Sequence, residues 1–218
     1  MVTYNISGME AQKKSTQIIP IFSTPLYITN LKREFSVEEL SFVDKNKLDV
    51  YNNEGNQTSN DNYILNNKSF KDLKIDLDLQ IQDYFDKVIS PANNITPYIT
   101  QSWLNFTKEN EYHHIHNHPN SIVSGVLYIN ADKNNDKIVF SKHENSSIEI
   151  EMGIKNSNVF NTNVIDVVVE TGYLILFPSS LKHRVLSKKG NNTRISLAFN
   201  TFIKGKIGNN KNLNELYL

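Results

Sequence analysis

The residues with the clearest chemistry are the histidines of the segment EYHHIHNHPNSIVSGVLYIN, residues 111 to 130. Four of the chain's six histidines fall within six positions there, directly before an apolar run that ends in Tyr128. Neutral imidazole offers a nitrogen lone pair at physiological pH, which makes histidine the commonest protein ligand for transition metals. Histidines are also ordinary loop residues, so this segment alone leaves a metal site and a polar loop equally open.

A second set of reactive residues follows later in the chain. His183 comes after the run GYLILFPSSLK, and Arg194 opens the run RISLAFNTF. Strand alternation places Arg194, Ser196, Ala198 and Asn200 on one face of that run, and Ile195, Leu197 and Phe199 on the other. Because a buried guanidinium without a partner is costly, we expect an acidic residue or an anionic ligand beside Arg194.

The elements that must position these residues are mainly strands. From Ile95 onward, short runs rich in Val, Ile, Tyr and Phe are separated by Gly, Asn, Asp and Pro. There are eight of them: TPYITQSWLNFT, SIVSGVLYIN, KIVFSK, SSIEIEM, NVIDVVVE, GYLILFP, HRVLS and TRISLAFNTFI. The pattern predicts an all-β sandwich or barrel with helices before it.

The segments before these runs have three different characters. IIPIFSTPLYITNL, residues 18 to 31, carries two prolines and predicts an extended segment along a sheet edge. Residues 52 to 68 are polar and turn-rich, which predicts a surface loop. Helical spacing predicts an amphipathic helix from Ser69 to Val88, with its apolar stripe formed by Leu73, Leu77, Ile81, Phe85 and Val88. We expect this stripe to cover the apolar face of RISLAFNTF.

Composition sets the broad class of protein. The chain has 218 residues, 39% hydrophobic and 21% charged, which is typical of one soluble globular domain. Lys plus Arg and Asp plus Glu both number 23, so no net charge favours general binding to nucleic acid or to an anionic membrane. There is no cysteine, and no apolar run approaches the length of a membrane span. We therefore expect a cytoplasmic protein.

The order of these motifs resembles that of Fe(II)/2-oxoglutarate-dependent oxygenases. Those proteins hold iron with an H-x-D/E pair and a distal His, and an Arg about ten residues later binds 2-oxoglutarate. Here HNHPNS, SGVLYIN, FPSSLKH and RIS are most similar to a family of such oxygenases common in marine bacteria and their phages, with H-x-H-P-x-S and SGV-x-Y motifs. The amino-terminal IPIFSTPLYITNL resembles that family's start as well.

The resemblance implies a mainly β fold, a double-stranded β-helix (jelly roll) with supporting N-terminal helices. It implies one domain: an extended and helical support over residues 1–93, the β-helix core over 94–204 and a tail over 205–218. The cytoplasm of a bacterial host, including a phage-infected one, is the expected location. The implied activity is that of a 2-oxoglutarate-dependent dioxygenase, a hydroxylase in type, with Fe(II), 2-oxoglutarate and O2 as cofactors and ascorbate as the reductant in vitro.

The resemblance also implies roles for particular residues. His116, His118 and His183 correspond to the metal ligands. Arg194 and Ser196 correspond to the clamp on the far carboxylate of 2-oxoglutarate. Tyr128 either donates a further hydrogen bond to that carboxylate or packs as an aromatic with its hydroxyl near the surface. Three further residues are candidates for a substrate pocket: Trp103, Asn105 and Asn200.

His118 departs from the family pattern, because an aspartate or glutamate is usual at its position. Three neutral imidazoles leave a metal ion its full double charge, and three-His sites in cupin-like proteins hold iron or zinc. His114 paired with His116, or Glu111 as an added carboxylate, are alternatives for the ligand set. The competing function is a non-catalytic or differently metallated cupin-like protein that binds small molecules.

The remaining expectations are less specific. His113 and His114 are expected to be loop or supporting residues, and His143 to be exposed. Asp132 and Asp136 are expected to be solvated. The substrate, a small molecule or a macromolecule, is unknown, and a homodimer is compatible with the sequence.

Overall fold

The strands of this protein form two antiparallel sheets whose side chains meet in a shared core. The structure is a computed structural model and describes residues 18–142 and 153–218. The strands of the described residues are β1 Tyr27–Asn30, β2 Val50–Asn52, β3 Gln57–Ser59, β4 Ile95–Thr107, β5 His113–His116, β6 Val123–Asn130, β7 Lys137–Ser141, β8 Val164–Val168, β9 Tyr173–Pro178, β10 Lys182–Val185, β11 Arg194–Ile207 and β12 Leu216–Tyr217. The major sheet has the order β1-β9-β6-β11-β4-β3-β2, with β12 added beside β11, and the minor sheet has the order β5-β10-β7-β8.

The eight strands from β4 to β11 pass back and forth between the two sheets. Four of them, β4, β6, β9 and β11, lie in the major sheet, and β5, β7, β8 and β10 lie in the minor sheet. This arrangement is the double-stranded β-helix, or jelly roll, so the expected mainly β fold is confirmed. Seven of the eight predicted runs are strands, and the eighth, SSIEIEM, lies outside the described residues, as does His143.

Two helices precede the β-helix: α1, Val37–Asn46, and α2, Lys71–Tyr84, which continues into a π-helical turn over Phe85–Ile89. Leu73, Leu77, Ile81 and Phe85 of the predicted stripe are buried. Val88 is 40% exposed, because the change to π-helical spacing turns it away from the core.

The alternation predicted for β11 is present in the structure. Ile195, Leu197 and Phe199 pack in one hydrophobic cluster with the buried stripe of α2. Gly125 of β6 lies opposite Phe199, and a Cβ atom at Gly125 would lie 2.1 Å from the ring carbon Cζ of Phe199. This face of the sheet is therefore closely packed, which leaves the opposite face of β11 for a site.

Residues 52–68 are only partly a surface loop: residues 60–63 are exposed, but the prediction missed two structured pieces. Strand β3 within them pairs with β4, and a 3₁₀ turn over Ile64–Asn66 buries Ile64 and Leu65. Ser59 is fully buried because its hydroxyl donates to the Asp61 carbonyl and accepts from the Leu104 amide. Hydrogen bonds of this kind let polar residues of this segment lie inside the protein.

The amino-terminal segment is extended as predicted, with β1 at the edge of the major sheet beside β9. The division of the chain after residues 93 and 204 stays a prediction; β1 to β3 extend the major sheet, and β11 runs to Ile207. None of the helices in the described part of the chain has the length and hydropathy needed to cross a membrane.

Candidate metal and cosubstrate site

Three histidines meet at one end of the space between the sheets. His116 ends β5, and it lies directly opposite His183 of β10 in the strand register. His118 follows in the loop, where its backbone amide donates to the Ser179 carbonyl at 2.9 Å. One ring nitrogen from each of the three lies within 4.8 Å of the others. The structure therefore brings together the three histidines that the motif order singled out.

Hydrogen bonds to backbone carbonyls determine which ring nitrogen is free in His116 and in His183. His116 Nδ1 lies 2.9 Å from the His114 carbonyl oxygen, and His183 Nδ1 lies 3.0 Å from the Leu181 carbonyl oxygen. A carbonyl oxygen only accepts, so each Nδ1 must carry the proton, and Nε2 keeps its lone pair. Hydrogen bonds at the second ring nitrogen in this way are typical of metal-binding histidines.

His118 is held by side chains instead. Its Nδ1 lies 2.5 Å from the Asn200 side-chain oxygen and 3.0 Å from the Ser124 hydroxyl. The Ser124 hydroxyl also contacts that Asn200 oxygen at 3.0 Å and the Ser179 hydroxyl at 2.8 Å. Asn200 was expected in the substrate pocket; it borders the cleft described below, and it also supports His118.

Burial keeps these histidines neutral. Removal from water is the main cause that lowers the pKa of His183 to about 3 and that of His118 to about 4, and the adjacent His116 contributes to both shifts. The pKa of His116 is also lowered, chiefly by burial. Neutral imidazole is the form that binds a metal ion, so this cluster is ready to bind one across the physiological pH range.

A second group of histidines overlaps the first. His113, His114 and His116 also place ring nitrogens within 4.8 Å of one another, which keeps the alternative of His114 with His116 open. The Asn53 side-chain amide lies 3.2 Å from His113 Nε2 and occupies that nitrogen. Glu111 belongs to neither group; its carboxylate accepts instead from the Lys108 backbone amide at 2.7 Å. The group with His118 and His183 is the more buried.

Beside the three histidines lies a narrow cavity of about 30 Å³, which we call the inner cavity. Its lining includes the predicted residues Trp103, Asn105, Tyr128, Arg194 and Ser196. All five come from β4, β6 and β11, on the faces turned away from α2. The alternation of these strands thus aims the candidate cosubstrate residues into one space.

Arg194 is 2% exposed and incompletely paired. Its guanidinium donates to the Lys137 carbonyl and to the Thr107 hydroxyl, both at 3.3 Å, and its Nε has no partner among the described residues. Burial lowers its pKa, and the neighbouring Tyr128 and Asp136 act in the opposite direction. A buried guanidinium with a free donor is costly unless an anion completes its hydrogen bonds.

Asp136 is 1% exposed, so the expectation that it is solvated is wrong. Its carboxylate accepts from the Asp132 backbone amide at 2.8 Å and from the Asn192 side chain at 3.2 Å. It also lies 3.8 Å from the ammonium of Lys188, which is itself buried. Asp136 acts on Arg194 electrostatically, by raising its pKa, but within the described residues the two form no ion pair.

Two hydroxyls in the inner cavity have spare hydrogen-bonding capacity. Tyr128 is 1% exposed, so its hydroxyl lies inside and not near the surface. Burial raises its pKa to about 12, which keeps it a hydrogen-bond donor. Within the described residues, neither the Tyr128 hydroxyl nor the Ser196 hydroxyl has a hydrogen-bond partner. Asn105, by contrast, accepts from the Thr58 hydroxyl at 3.2 Å.

The sequence did not single out two further lining residues, Arg184 and His113. Arg184 follows His183 on β10, and its buried Nε also has no partner among the described residues. In the sequence, the position of Arg184 next to the candidate ligand His183 was the only indication that it lines the cavity. Strand alternation predicts instead that neighbouring residues point to opposite faces of the sheet. His113 lies in the histidine segment, and burial, with a smaller contribution from His116, lowers its pKa to about 2.

A second, more open cavity of about 360 Å³ adjoins the first, and a recess of about 210 Å³ extends it. We call these two together the outer cleft. His116 and His118 line both the inner cavity and the outer cleft. The histidine cluster therefore lies at the boundary between them.

Comparison with known proteins agrees with this geometry. The sequence model of a family described as "Putative 2OG-Fe(II) oxygenase" matches residues 101–200. No curated protein shows significant sequence similarity to this chain. All nine predicted site residues lie within the matched range.

Several solved structures share the fold. HygX from Streptomyces hygroscopicus, solved with nickel and 2-oxoglutarate bound, is 14% identical, with a TM-score of 0.55 over 82% of each chain. A prolyl hydroxylase from Trichoplax adhaerens, in complex with a hypoxia inducible factor peptide, is 16% identical, with a TM-score of 0.57 over 81% of this chain and 83% of that one. The epimerase SnoN from nogalamycin biosynthesis is 8% identical, with a TM-score of 0.55 over 82% and 78% of the two chains. At these identities the likeness establishes the jelly-roll fold, and the family match covers the strands that carry the histidine cluster and Arg194.

Proposed function

We propose that this protein is an Fe(II)- and 2-oxoglutarate-dependent oxygenase that hydroxylates its substrate. In that reaction R–H, O2 and 2-oxoglutarate give R–OH, succinate and CO2, and one oxygen atom of O2 enters each of the first two products. The observation that carries the proposal is the inner cavity, which combines three convergent neutral histidines with a buried, incompletely paired arginine.

The histidine cluster fits a first-row divalent metal ion. His116 and His183 each have Nδ1 occupied by a backbone carbonyl and Nε2 free, and His118 is oriented by Asn200. Three protein ligands leave positions open for other groups, and bound iron supplies the activation of O2. His118 replaces the usual carboxylate, so the ligand set carries no negative charge.

The far wall of the inner cavity fits a carboxylate. Arg194 offers a planar fork of donors, and Ser196 and Tyr128 offer hydroxyls whose hydrogen bonds are not otherwise used. Because Arg194 and the histidine cluster line the same cavity, a dicarboxylate such as 2-oxoglutarate would place one end at Arg194 and the other at the cluster. Arg194 would then orient the keto acid, and closure by the buried lining would exclude water from it.

The alternative function is a cupin-like small-molecule binding protein with a different metal. The uncharged three-histidine set favours it, because zinc also binds such sites. Arg194 favours the oxygenase, since a binding protein without an anionic cosubstrate has no reason to bury an arginine with a free Nε.

The test measures succinate formed by the purified protein with Fe(II), ascorbate, O2 and 2-oxoglutarate, without a substrate. We expect slow release above a control without protein, and His183→Ala should abolish it. Binding of 2-oxoglutarate is measured in parallel by calorimetry with Mn(II). Protein that neither releases succinate nor binds 2-oxoglutarate with metal would contradict the oxygenase and support the cupin-like alternative.

A further inference from the structure

The outer cleft has a lining unlike that of the inner cavity. The recess shares Tyr51, Gln101 and Trp103 with the main part of the cleft, so the two form one continuous surface beside the histidine cluster. Trp103 also lines the inner cavity. A molecule in the cleft would therefore lie next to the proposed metal ion.

Charged side chains are absent from this surface. Within the described ranges, no Asp, Glu, Lys or Arg lines the cleft, although these types make up 21% of the chain. Glu54 approaches His114 Nδ1 to 3.9 Å but is not a lining residue. Away from the proposed metal ion, phosphates, carboxylates and ammonium groups would find no lining side chain of opposite charge to offset their loss of water.

Aliphatic side chains are absent as well. The apolar part of the described lining consists of the rings of Tyr51 and Trp103 together with Pro119, and no Leu, Ile, Val, Met or Phe takes part. Ligand sites are usually lined by hydrophobic side chains, and peptide-binding grooves need pockets for apolar anchors. The cleft offers flat rings and no such pocket.

Amide groups with unused hydrogen bonds make up much of the remaining surface. The lining amides are those of Asn53, Asn62, Gln101, Asn117 and Asn120, together with Asn200. Those of Gln101, Asn117, Asn120 and Asn62 form no hydrogen bond with the described residues, and they are exposed. Each amide both donates and accepts, so it matches a partner whose groups also do both.

A sugar ring meets these requirements, because it carries hydroxyl groups and has apolar C–H faces. The hydroxyls pair with amides, and the C–H faces pack against the rings of Trp103 and Tyr51, whose faces are electron-rich. We propose that the outer cleft binds a neutral, polyhydroxylated substrate, such as an uncharged oligosaccharide segment. This inference rests on the proposed oxygenase function for the reaction that follows binding, but binding itself can be measured separately.

Trp103 makes a direct test available, because it is the single tryptophan of the chain and it lies in the cleft. Full-length protein with Zn(II), which is redox-inert, and 2-oxoglutarate is titrated with maltose, cellobiose and diacetylchitobiose while tryptophan emission is followed. We expect a saturable change with at least one neutral sugar and none with digalacturonate, which carries two carboxylates. Tyr51→Ala and Gln101→Ala should each weaken binding, the first by roughly tenfold.

Tyr217→Ala is the matched control, because Tyr217 is exposed on β12 and lines neither cavity. It should leave the sugar titration unchanged.

Saturation by a neutral blocked dipeptide, with none by sugars, would replace the proposed class with a peptide, and the absence of any response to sugars would overturn the proposal. If 2-oxoglutarate binds and succinate is released while no sugar responds, only the substrate class is wrong; if sugars bind but 2-oxoglutarate does not, the oxygenase proposal fails and the cleft proposal stands.

Discussion

The inner cavity and the outer cleft meet at His116 and His118, yet their walls have opposite characters. The inner cavity is built on the central strands β6 and β11, and its key groups, Arg194 and Tyr128, are no more than 2% exposed. The outer cleft takes Tyr51 from β2 and much of its remaining surface from loops. A charged group fixed by core strands suits a constant cosubstrate, while neutral exposed amides suit recognition of a substrate.

The largest effect expected in the inner cavity is from His183→Ala. Removing a ligand from the centre of the cluster should abolish stoichiometric Fe(II) binding and succinate release, because two imidazoles hold the ion much less tightly. Metal content after dialysis measures the effect, and circular dichroism checks that the fold persists. His116→Ala and His118→Ala should behave alike.

His114→Ala is the control for the choice of ligands. It should retain iron, since His114 is not one of the three convergent residues of the buried group. If His118→Ala binds iron as well as the parent and His114→Ala does not, the ligands are the overlapping group, and the boundary between cavity and cleft moves outward.

Arg194→Ala should weaken 2-oxoglutarate far more than it weakens metal. Losing one partner of a buried charge pair costs about 2–5 kcal/mol, which corresponds to roughly 30- to 5,000-fold in affinity. Calorimetry with Mn(II) measures both affinities on one sample. Arg184→Ala, in the same cavity, is the matched comparison and should have the smaller effect; the reverse order would assign the carboxylate to Arg184.

Asn200→Ala should have an intermediate effect, because it removes an acceptor from His118 Nδ1. Loss of such a supporting group typically reduces metal affinity about 10- to 100-fold. Ser124 lies 3.0 Å from the same nitrogen and can take over part of the role, so the expected loss is near the lower limit. Asn200→Asp keeps an acceptor and should restore binding, and unchanged affinity in Asn200→Ala would show that Asn200 serves only the cleft.

The sequence predicted the parts of both regions that depend on local pattern. Alternation along RISLAFNTF predicted that Arg194 and Ser196 lie on one face of the strand and Leu197 on the other, and the structure confirms this. The motif order predicted that His116, His118 and His183 would meet, and the strand register brings them together.

What the sequence missed depends on partners from distant strands. Thr58 and Ser59 looked like loop residues, because nothing local shows that β4 supplies their hydrogen bonds. Asp136 looked solvated, because its partners Asn192 and Lys188 lie more than fifty residues away. Asn200 was predicted from its face alone, and its contact with His118 spans eighty-two residues.

The last expected effect is on stability and not on binding, and it concerns His113, which lines both the inner cavity and the outer cleft. Its pKa is lowered to about 2 in the folded chain, against a usual value near 6.5. Between these values the unfolded chain binds a proton that the folded chain does not, so stability falls as pH drops below about 6.5. Each histidine kept neutral in this way contributes a slope of up to about 1.4 kcal/mol per pH unit.

His113→Asn should therefore make the free energy of unfolding depend less on pH. In the metal-free protein between pH 6.5 and pH 4, the slope should decrease by the amount that corresponds to about one bound proton. His116, whose pKa is also lowered, and His118 and His183, with pKa values lowered to about 4 and about 3, supply the slope that remains. Urea unfolding at several pH values measures the slope, and Tyr217→Ala, which removes no titrating histidine, is the control. An unchanged slope in His113→Asn would mean that water from the outer cleft reaches this ring and lets it titrate normally. The two regions would then form one solvated space, and Arg194 would lose the dry surroundings on which its proposed role depends.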